Sequence, residues 1–297
     1  MVSHAGWRRA SLGPATQRTP LSMQTLANRY RLEETIGEGA VATVYRAFDS
    51  VVERGVAVKV LKDVHDETDI ARLWVELRSL QRLRHANIVR TLDFGRSAKG
   101  LHYIVMELLS GRTLRARMEQ EGRMGVREAT SLLQPIFEAL DACHFSGIIH
   151  RDVKPENVFL TESAGQHLKL IDFGMAKILH DLSPAVTPVS FTFGTPEYMA
   201  PERIKGNRHT PATDIYSAGV MAFEMLAGQR PFAGVNPDEI MRHQIHEALP
   251  RFSELDPPVS VPRDLRNLIR RCLRKEPLQR PRAADLATEL LCFLNTP

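Results

Sequence analysis

His150 to Asn157 reads His-Arg-Asp-Val-Lys-Pro-Glu-Asn, and three of its side chains could share one task. Asp152 can accept a proton, Lys154 supplies a cation two residues on, and Asn157 supplies an amide oxygen suited to a hard metal ion. Base, cation and metal ligand on one short stretch are what transfer of a phosphoryl group needs, since positioning and charge stabilisation carry that reaction. Chance explains the stretch poorly. Fixing His150, Arg151, Asp152, Lys154 and Asn157 together has odds of roughly one in a few million per window, at about 5% usage each.

Other residues fit the same chemistry. Gly37-Glu38-Gly39-Ala40-Val41-Ala42-Thr43-Val44 is a glycine turn, in which backbone N–H groups can approach phosphate oxygens with no side chain between. It leads into a strand and not a helix, which excludes a dinucleotide-binding turn. In the next run, period-two geometry puts Val56, Val58 and Val60 on one face and Ala57, Lys59 and Leu61 on the other, so Lys59 faces a cleft or solvent. Ile70, Leu73, Trp74, Leu77 and Leu80 recur at helical spacing, and Glu76 shares their inward side, placed to meet Lys59. Asp172-Phe173-Gly174 follows the apolar run Leu168 to Ile171, fifteen positions after Asn157 (172 minus 157).

The elements that must position these residues differ between the two parts of the chain. Strands are predicted over Tyr30 to Ile36, Val41 to Phe48, Gly55 to Leu61, Ile88 to Phe94 and Leu101 to Leu108, with one helix over Asp69 to Arg82. Beyond Gly111 the pattern turns helical. Ala129, Leu132, Leu133, Ile136, Phe137, Leu140, Cys143 and His144 form an apolar stripe ending near Gly147, and Pro135 inside it predicts a kink or a shorter helix. Further helices are predicted over Ala212 to Leu226, Pro237 to His246, Pro262 to Leu273 and Ala283 to Leu294.

With 43% hydrophobic and 25% charged residues in 297, the composition is that of an ordinary globular protein, and no apolar run approaches a membrane span. A formal charge of +4 gives no reason to expect a nucleic-acid partner without a clustered basic patch. Cys143, Cys272 and Cys292 lack metal-ligand spacing and read as reduced core thiols. Residues 1–27 are rich in Ser, Thr, Pro and Arg, contain no acidic residue and read as a flexible tail. Nothing there has the pattern of a secretory signal, so a cytoplasmic location is expected.

The order of glycine turn, strand lysine, helix glutamate, aspartate loop and Asp-Phe-Gly is closed by Gly194-Thr195-Pro196-Glu197-Tyr198-Met199-Ala200-Pro201-Glu202. This set resembles the eukaryotic-type serine/threonine protein kinases, in the compact form found in bacteria, over about Asn28 to Leu294. The resemblance implies a two-lobed α+β fold: an antiparallel sheet with one helix over about 28–108, and a mainly helical lobe over about 112–294. It implies ATP-dependent transfer to Ser or Thr hydroxyls of proteins, with Mg2+ or Mn2+ as the metal.

By the same resemblance, Asp152 would accept the substrate's hydroxyl proton, Lys154 would neutralise the gamma phosphate, and Asn157 and Asp172 would hold the metal. Lys59, oriented by Glu76, would hold the alpha and beta phosphates. Ile36, Gly37, Glu38, Gly39, Ala40, Val44 and Ala57 would enclose the nucleotide, with Met106 behind the adenine and the backbone from Glu107 to Leu109 bonding the base. Thr195 would contact the catalytic aspartate and lysine, which favours Ser or Thr over Tyr as acceptor. His150, Phe173, Asp214 and the pair Glu202 and Arg280 would be structural supports. Arg151 would bind a phosphate on the segment between Asp172 and Glu202, where Thr187, Ser190 and Thr192 are candidates for self-phosphorylation. The chain departs from the family pattern at Ala42, where a third glycine is usual; this implies a stiffer lid over the phosphates.

Two other readings start from the same residues. A catalytically dead scaffold would be expected to have lost one of Lys59, Glu76, Asp152, Asn157 and Asp172, yet all are present. A small-molecule phosphotransferase of the same fold would lack the closing segment from Gly194 to Glu202, which shapes a peptide-binding surface.

Overall fold

The computed structural model describes residues 25–62, 67–162, 168–173, 195–255 and 257–296. The N-terminal part is a six-stranded sheet in the order β1-β2-β3-β4-β6-β5. Its strands are β1 (Thr25–Leu26), β2 (Tyr30–Glu38), β3 (Ala42–Asp49), β4 (Arg54–Leu61), β5 (Thr91–Arg96) and β6 (His102–Glu107), and neighbours run antiparallel. Alternation along β4 separates two cores. Val56, Val58 and Val60 pack with Tyr30, Leu32 and Tyr103, while Ala57 and Leu61 join Leu73 and Leu77 in the main core. Those leucines lie on α1 (Glu67–Arg82), which is also held by Trp74 stacked on Phe94 with ring centres 5.2 Å apart.

Two expectations change here. The tail expected over 1–27 is corrected at its end, where a strand already starts at Thr25: Leu26 is buried beside Tyr30, and Arg29 forks both oxygens of Asp49 at 2.8 Å. The strand expected from Ile88 starts instead at Thr91; Ile88 forms a parallel bridge to Leu170.

The C-terminal part carries a three-stranded sheet of β7 (Gly111–Thr113), β8 (Val158–Thr161) and β9 (Lys169–Leu170). Around it lie α2 (Leu114–Glu121), α3 (Val126–Phe145), α4 (Pro201–Ile204), α5 (Pro211–Ala227), α6 (Pro237–His246), α7 (Arg263–Cys272) and α8 (Ala283–Asn295). α3 runs its full 20 residues across Pro135, so the shortening expected there does not occur. A proline inside a helix costs about 3 kcal/mol. Leu132, Leu133, Ile136, Phe137 and Leu140 are all buried around it, and each buried side chain of this size returns about 1.5–3 kcal/mol.

α5 is buried from Thr213 to Leu226 and forms the axis of this part. It starts in a reciprocal cap between Thr210 and Thr213 and ends at Gly228 in the left-handed region. Gly219 lets α7 approach closely: a Cβ there would sit 2.7 Å from Cys272 Cβ. Cys143 and Cys272 are buried, but Cys292 is exposed, so the core reading of all three cysteines is corrected for that one. It lies on the solvent side of α8, away from buried Leu286 and Leu290. Among the described residues no helix is long and apolar enough to cross a membrane.

Candidate active site

The loop bearing Asp152 is hung from the first turn of α5. Asp214 is 1% exposed, and its Oδ2 accepts from the backbone N–H of His150 at 2.8 Å and meets His144 Nε2 at 2.9 Å. Its Oδ1 accepts from the backbone N–H of Arg151 at 2.8 Å. Burial alone would raise the Asp214 carboxyl, but the hydrogen bond and charge of His144, with the charge and N–H of His150, hold it below its ordinary value. These bonds fix Arg151 at φ 68, a left-handed conformation that non-glycine residues rarely adopt and that costs about 1–3 kcal/mol.

His150 is fully buried with its ring 4.6 Å from that of Phe173. Its Nδ1 accepts from the Asp152 backbone N–H at 3.3 Å, which leaves Nε2 to donate to the Ile171 carbonyl at 3.1 Å. Burial pushes its pKa down, so the ring is neutral and the hydrogen bonds fix its tautomer. One side chain thereby ties the loop of Asp152 to the strand leading into Asp172. Asn157 reinforces the tie by accepting the Ile171 N–H on its backbone carbonyl at 2.9 Å.

Around Asp152 the side chains converge. Asn157 Nδ2 donates to both the carbonyl and Oδ2 of Asp152 at 2.8 Å, and Lys154 Nζ lies 3.0 Å from the same Oδ2. Lys154 also donates to Thr195 Oγ1 at 3.0 Å, so the loop and the closing segment meet at one cation. With its amide nitrogen committed to two oxygens of Asp152, Asn157 keeps its amide oxygen as the group able to ligate a metal.

Lys59 and Glu76 are not brought together, which corrects the pairing expected between them. Lys59 Nζ binds Asp172 Oδ1 at 2.6 Å, and Glu76 is held by Arg151 Nη1 and Nη2 at 2.5 and 2.8 Å. The guanidinium offers Glu76 a planar fork that matches both carboxylate oxygens, whereas the lysine is a point charge satisfied by one. Asp172 itself sits at φ 56, a second strained backbone position in the same cleft.

The wall of the cleft comes from sheet register. Gly37 lies opposite Val44, Val44 opposite Lys59, and Ala57 opposite Met106. Ala57 and Met106 are buried, and Ile36 at the rim is exposed. Gly39 donates its N–H to the Ala42 carbonyl at 2.9 Å, closing the turn that contains Glu38 and Ala40. Glu107 donates its own N–H to Arg90 at 3.1 Å, so that group is already engaged where the chain passes on to Leu109. The carboxylate of Glu107 accepts from the N–H of Arg90 at 2.8 Å and pairs with Lys169 at 2.9 Å.

Glu202 and Arg280 form a buried two-bond pair at 2.7 and 2.8 Å. Arg280 also donates to the carbonyls of Ala212, Arg274 and Lys275 at 2.8, 2.8 and 3.1 Å. Thr187, Ser190 and Thr192 lie outside the described residues.

Residues 30–291 match the family described as the protein kinase domain. The chain belongs to the protein kinase domain family. It is 38% identical over 265 residues to the serine/threonine-protein kinase PknA of Mycobacterium tuberculosis, covering 87% of this chain and 59% of that one. Against the serine/threonine-protein kinase pkn3 of Myxococcus xanthus the identity is 33% over 268 residues, covering 88% and 49%. Against the serine/threonine-protein kinase PkaA of Streptomyces coelicolor it is 38% over 282 residues, covering 90% and 50%. The chain thus spans about half to three fifths of these relatives. Among solved structures it resembles Rad53 1-466 in complex with AMP-PNP, with a TM-score of 0.71 and 27% identity, covering 88% of this chain and 64% of that one.

Some site residues escape a sequence reading of a kinase domain. Lys169 is buried, donates to the Ala86 carbonyl at 2.9 Å and pairs with Glu107, tying β9 to the end of β6. Its only signal is a lysine inside the apolar run from Leu168 to Ile171. Gln244 on α6 is fully buried and donates to the Glu197 carbonyl at 2.6 Å, holding the closing segment; no spacing rule singles it out.

Proposed function

We propose that this chain is a serine/threonine protein kinase domain that transfers the gamma phosphoryl group of ATP to Ser or Thr hydroxyls of proteins. The observation that carries the reading is the convergence of Lys154 and Asn157 on Asp152, with Thr195 on the same lysine. Asp152 is positioned as the base for the acceptor hydroxyl. Lys154 lies within 3.0 Å of that carboxylate, where it counters charge building on the transferred group. Thr195, held by that lysine at 3.0 Å, supports a Ser or Thr acceptor over Tyr.

Lys59 fits the role of phosphate cation, and Gly37 to Val44 the role of cover, with Ile36, Ala57, Met106 and the chain from Glu107 to Leu109 around the base. Asp172 and the Asn157 amide oxygen form an all-oxygen donor pair, which suits Mg2+, or Mn2+ in its place, held jointly with the nucleotide's phosphates. Such a metal would neutralise charge on those phosphates. His150, Phe173, Asp214, Glu202 and Arg280 keep this arrangement rigid. The segment from Thr195 to Glu202, pinned by Gln244 and Arg280, favours a protein over a small-molecule acceptor.

The test is incubation with ATP and Mg2+ beside Asp152→Asn, followed by mass spectrometry of the chain and of an added protein substrate. Phosphoserine or phosphothreonine in the wild type alone is the expected result. Phosphotyrosine alone, or phosphate on a small-molecule acceptor only, would replace this reading.

A further inference from the structure

The chain's charge is concentrated in one place. Residues 263–274 hold five arginines and one acidic residue, a net of +4 (five minus one), which equals the formal charge of the whole chain. The rest is balanced, with 34 basic residues (39 minus 5) against 34 acidic ones (35 minus 1). Arg263, Arg266, Arg270 and Arg274 recur every three to four residues, and at about 100° per residue they fall within an arc of about 80° on α7. Leu273 and Arg274 continue its last turn, donating their N–H groups to Ile269 and Arg271 at 3.0 and 3.4 Å. The four make a straight ridge about 16 Å long, at a rise of about 1.5 Å per residue.

Burial of Leu265, Leu268, Ile269 and Cys272 against the core fixes which way the ridge faces. All four arginines are exposed, and among the described residues none forms an ion pair; Arg270 reaches only Asn267, at 3.4 Å. Arg271 lies off the ridge and is taken by Glu289. Asp264 also lies off it, lining with Leu265, Leu268 and α8 a cavity of about 610 Å3 on another side of α7. Ridge neighbours stand about 5–6 Å apart along the axis, inside the Debye length of about 8 Å, so they repel one another until an anionic surface meets them. Beyond the ridge, Leu278 on the turn Pro277–Gln279 is 101% exposed, and four residues of chain keep it within about 14 Å of Arg274.

These features select among anionic partners. The outer face of a helix is convex, so it offers no groove to clasp an acidic peptide, whereas a plane of headgroups can meet all four guanidiniums at once. Residues 263–282 hold no aromatic side chain to stack on a base. A fully exposed leucine beside a basic ridge has a place to go in a bilayer, since hydrocarbon lies directly beneath the headgroups.

We propose that the ridge of α7 docks this chain reversibly on a lipid bilayer carrying anionic headgroups, with Leu278 entering the acyl boundary. Each arginine near such a surface contributes about fivefold in affinity, so the four together give attachment that salt can reverse. The inference stands apart from the phosphoryl-transfer reading.

The test is sedimentation with vesicles of phosphatidylcholine alone or with about 30% phosphatidylglycerol, at about 0.05 and 0.5 M NaCl. Wild type is compared with Arg266→Gln plus Arg270→Gln, with Leu278→Ser, and with a control of equal charge change, Arg78→Gln plus Arg82→Gln on the exposed side of α1. Wild type is expected to bind the anionic vesicles at least about twentyfold more tightly than the neutral ones, and to lose that preference at high salt. The ridge pair is expected to weaken binding about 25-fold, Leu278→Ser about fivefold, and the control less than about threefold. A wild type that binds neither vesicle, or both alike, overturns the proposal without recourse to any variant. So does a control that weakens binding as much as the ridge pair, and unchanged binding by Leu278→Ser overturns the insertion of that leucine. Capture of polyglutamate or duplex DNA, lost in the ridge pair and unaccompanied by vesicle binding, would assign the ridge to an acidic protein or a nucleic acid instead.

Discussion

Arg151 holds Glu76 through both guanidinium nitrogens, at 2.5 and 2.8 Å, across a gap of 75 residues in the chain. Lys59, which faces the same cleft, is held by Asp172 at 2.6 Å. Each of the two cations holds a carboxylate, and a new partner for Arg151 would leave Glu76 available to Lys59, in place of Asp172.

Were Thr187, Ser190 or Thr192 phosphorylated, as the sequence leads one to expect, the phosphate would compete with Glu76 for Arg151, because a phosphate fits the guanidinium fork and carries more charge than a carboxylate. Replacing Arg151 by Gln removes both the hold on Glu76 and the dock for the phosphate. The ratio of kcat/KM between phosphorylated and phosphatase-treated enzyme, expected to be about tenfold or more in the wild type, should fall to near one in Arg151→Gln. A variant still activated by its own phosphorylation would show that the phosphate acts elsewhere.

Asp214 accepts from two backbone N–H groups and meets His144 while buried, so Asp214→Asn leaves an amide nitrogen facing a donor. A loss of about 3 kcal/mol is expected, or roughly 6–12 °C in Tm for a domain of this size. Because the folded carboxyl is held below its ordinary value, its contribution is full above about pH 4 and disappears as pH falls through the folded value. Urea titrations of wild type and variant should therefore converge in acid. His150 acts in a higher window: burial lowers its pKa, the unfolded chain takes the proton first, and stability drops as pH falls below about 6.5.

Arg280→Met would strand Glu202, which is 6% exposed, without its counter-charge. Breaking a buried pair from one side costs about 3–5 kcal/mol. Adding Glu202→Leu should recover part of this loss and not all of it, because Arg280 also serves three backbone carbonyls. Equilibrium urea unfolding of both variants measures the difference, and full recovery would mean those carbonyl bonds contribute nothing.

Much of the site was legible because its residues are fixed in chain order by local geometry. The alternation around Lys59 assigned the two faces of β4, and the motifs around Asp152 and Asp172 marked two ends of one cleft. What stayed hidden depends on contacts across long separations. Nothing near Glu76 in sequence tells whether it meets Lys59 or Arg151, and only the folded chain shows Arg151 as its partner. No motif or spacing marks Arg115, and only folding brings Glu156, Tyr198 and Glu224 around it. The full length of α3 was missed because a local rule about Pro135 was outweighed by burial on both sides.

Lys275 offers a chemical check on packing. Burial and the charge of Arg280 bring its pKa down to about 8, and its amine donates to the Gln244 carbonyl at 2.7 Å above the ring of Phe232. Amine-selective labelling followed by peptide mapping should give half-maximal reactivity for Lys275 near that pH, against about 10.4 for unperturbed lysines. Reactivity rising only with the other lysines would contradict the burial.

The most direct measurement is the single-turnover rate of phosphoryl transfer in wild type and Asp152→Asn, with ATP affinity measured on the same samples. A fall in rate of about 10²- to 10⁴-fold, with affinity unchanged within a few fold, is the expected result for loss of a base that touches the acceptor and not the nucleotide. A rate equal to wild type would contradict the placement of the reaction at Asp152.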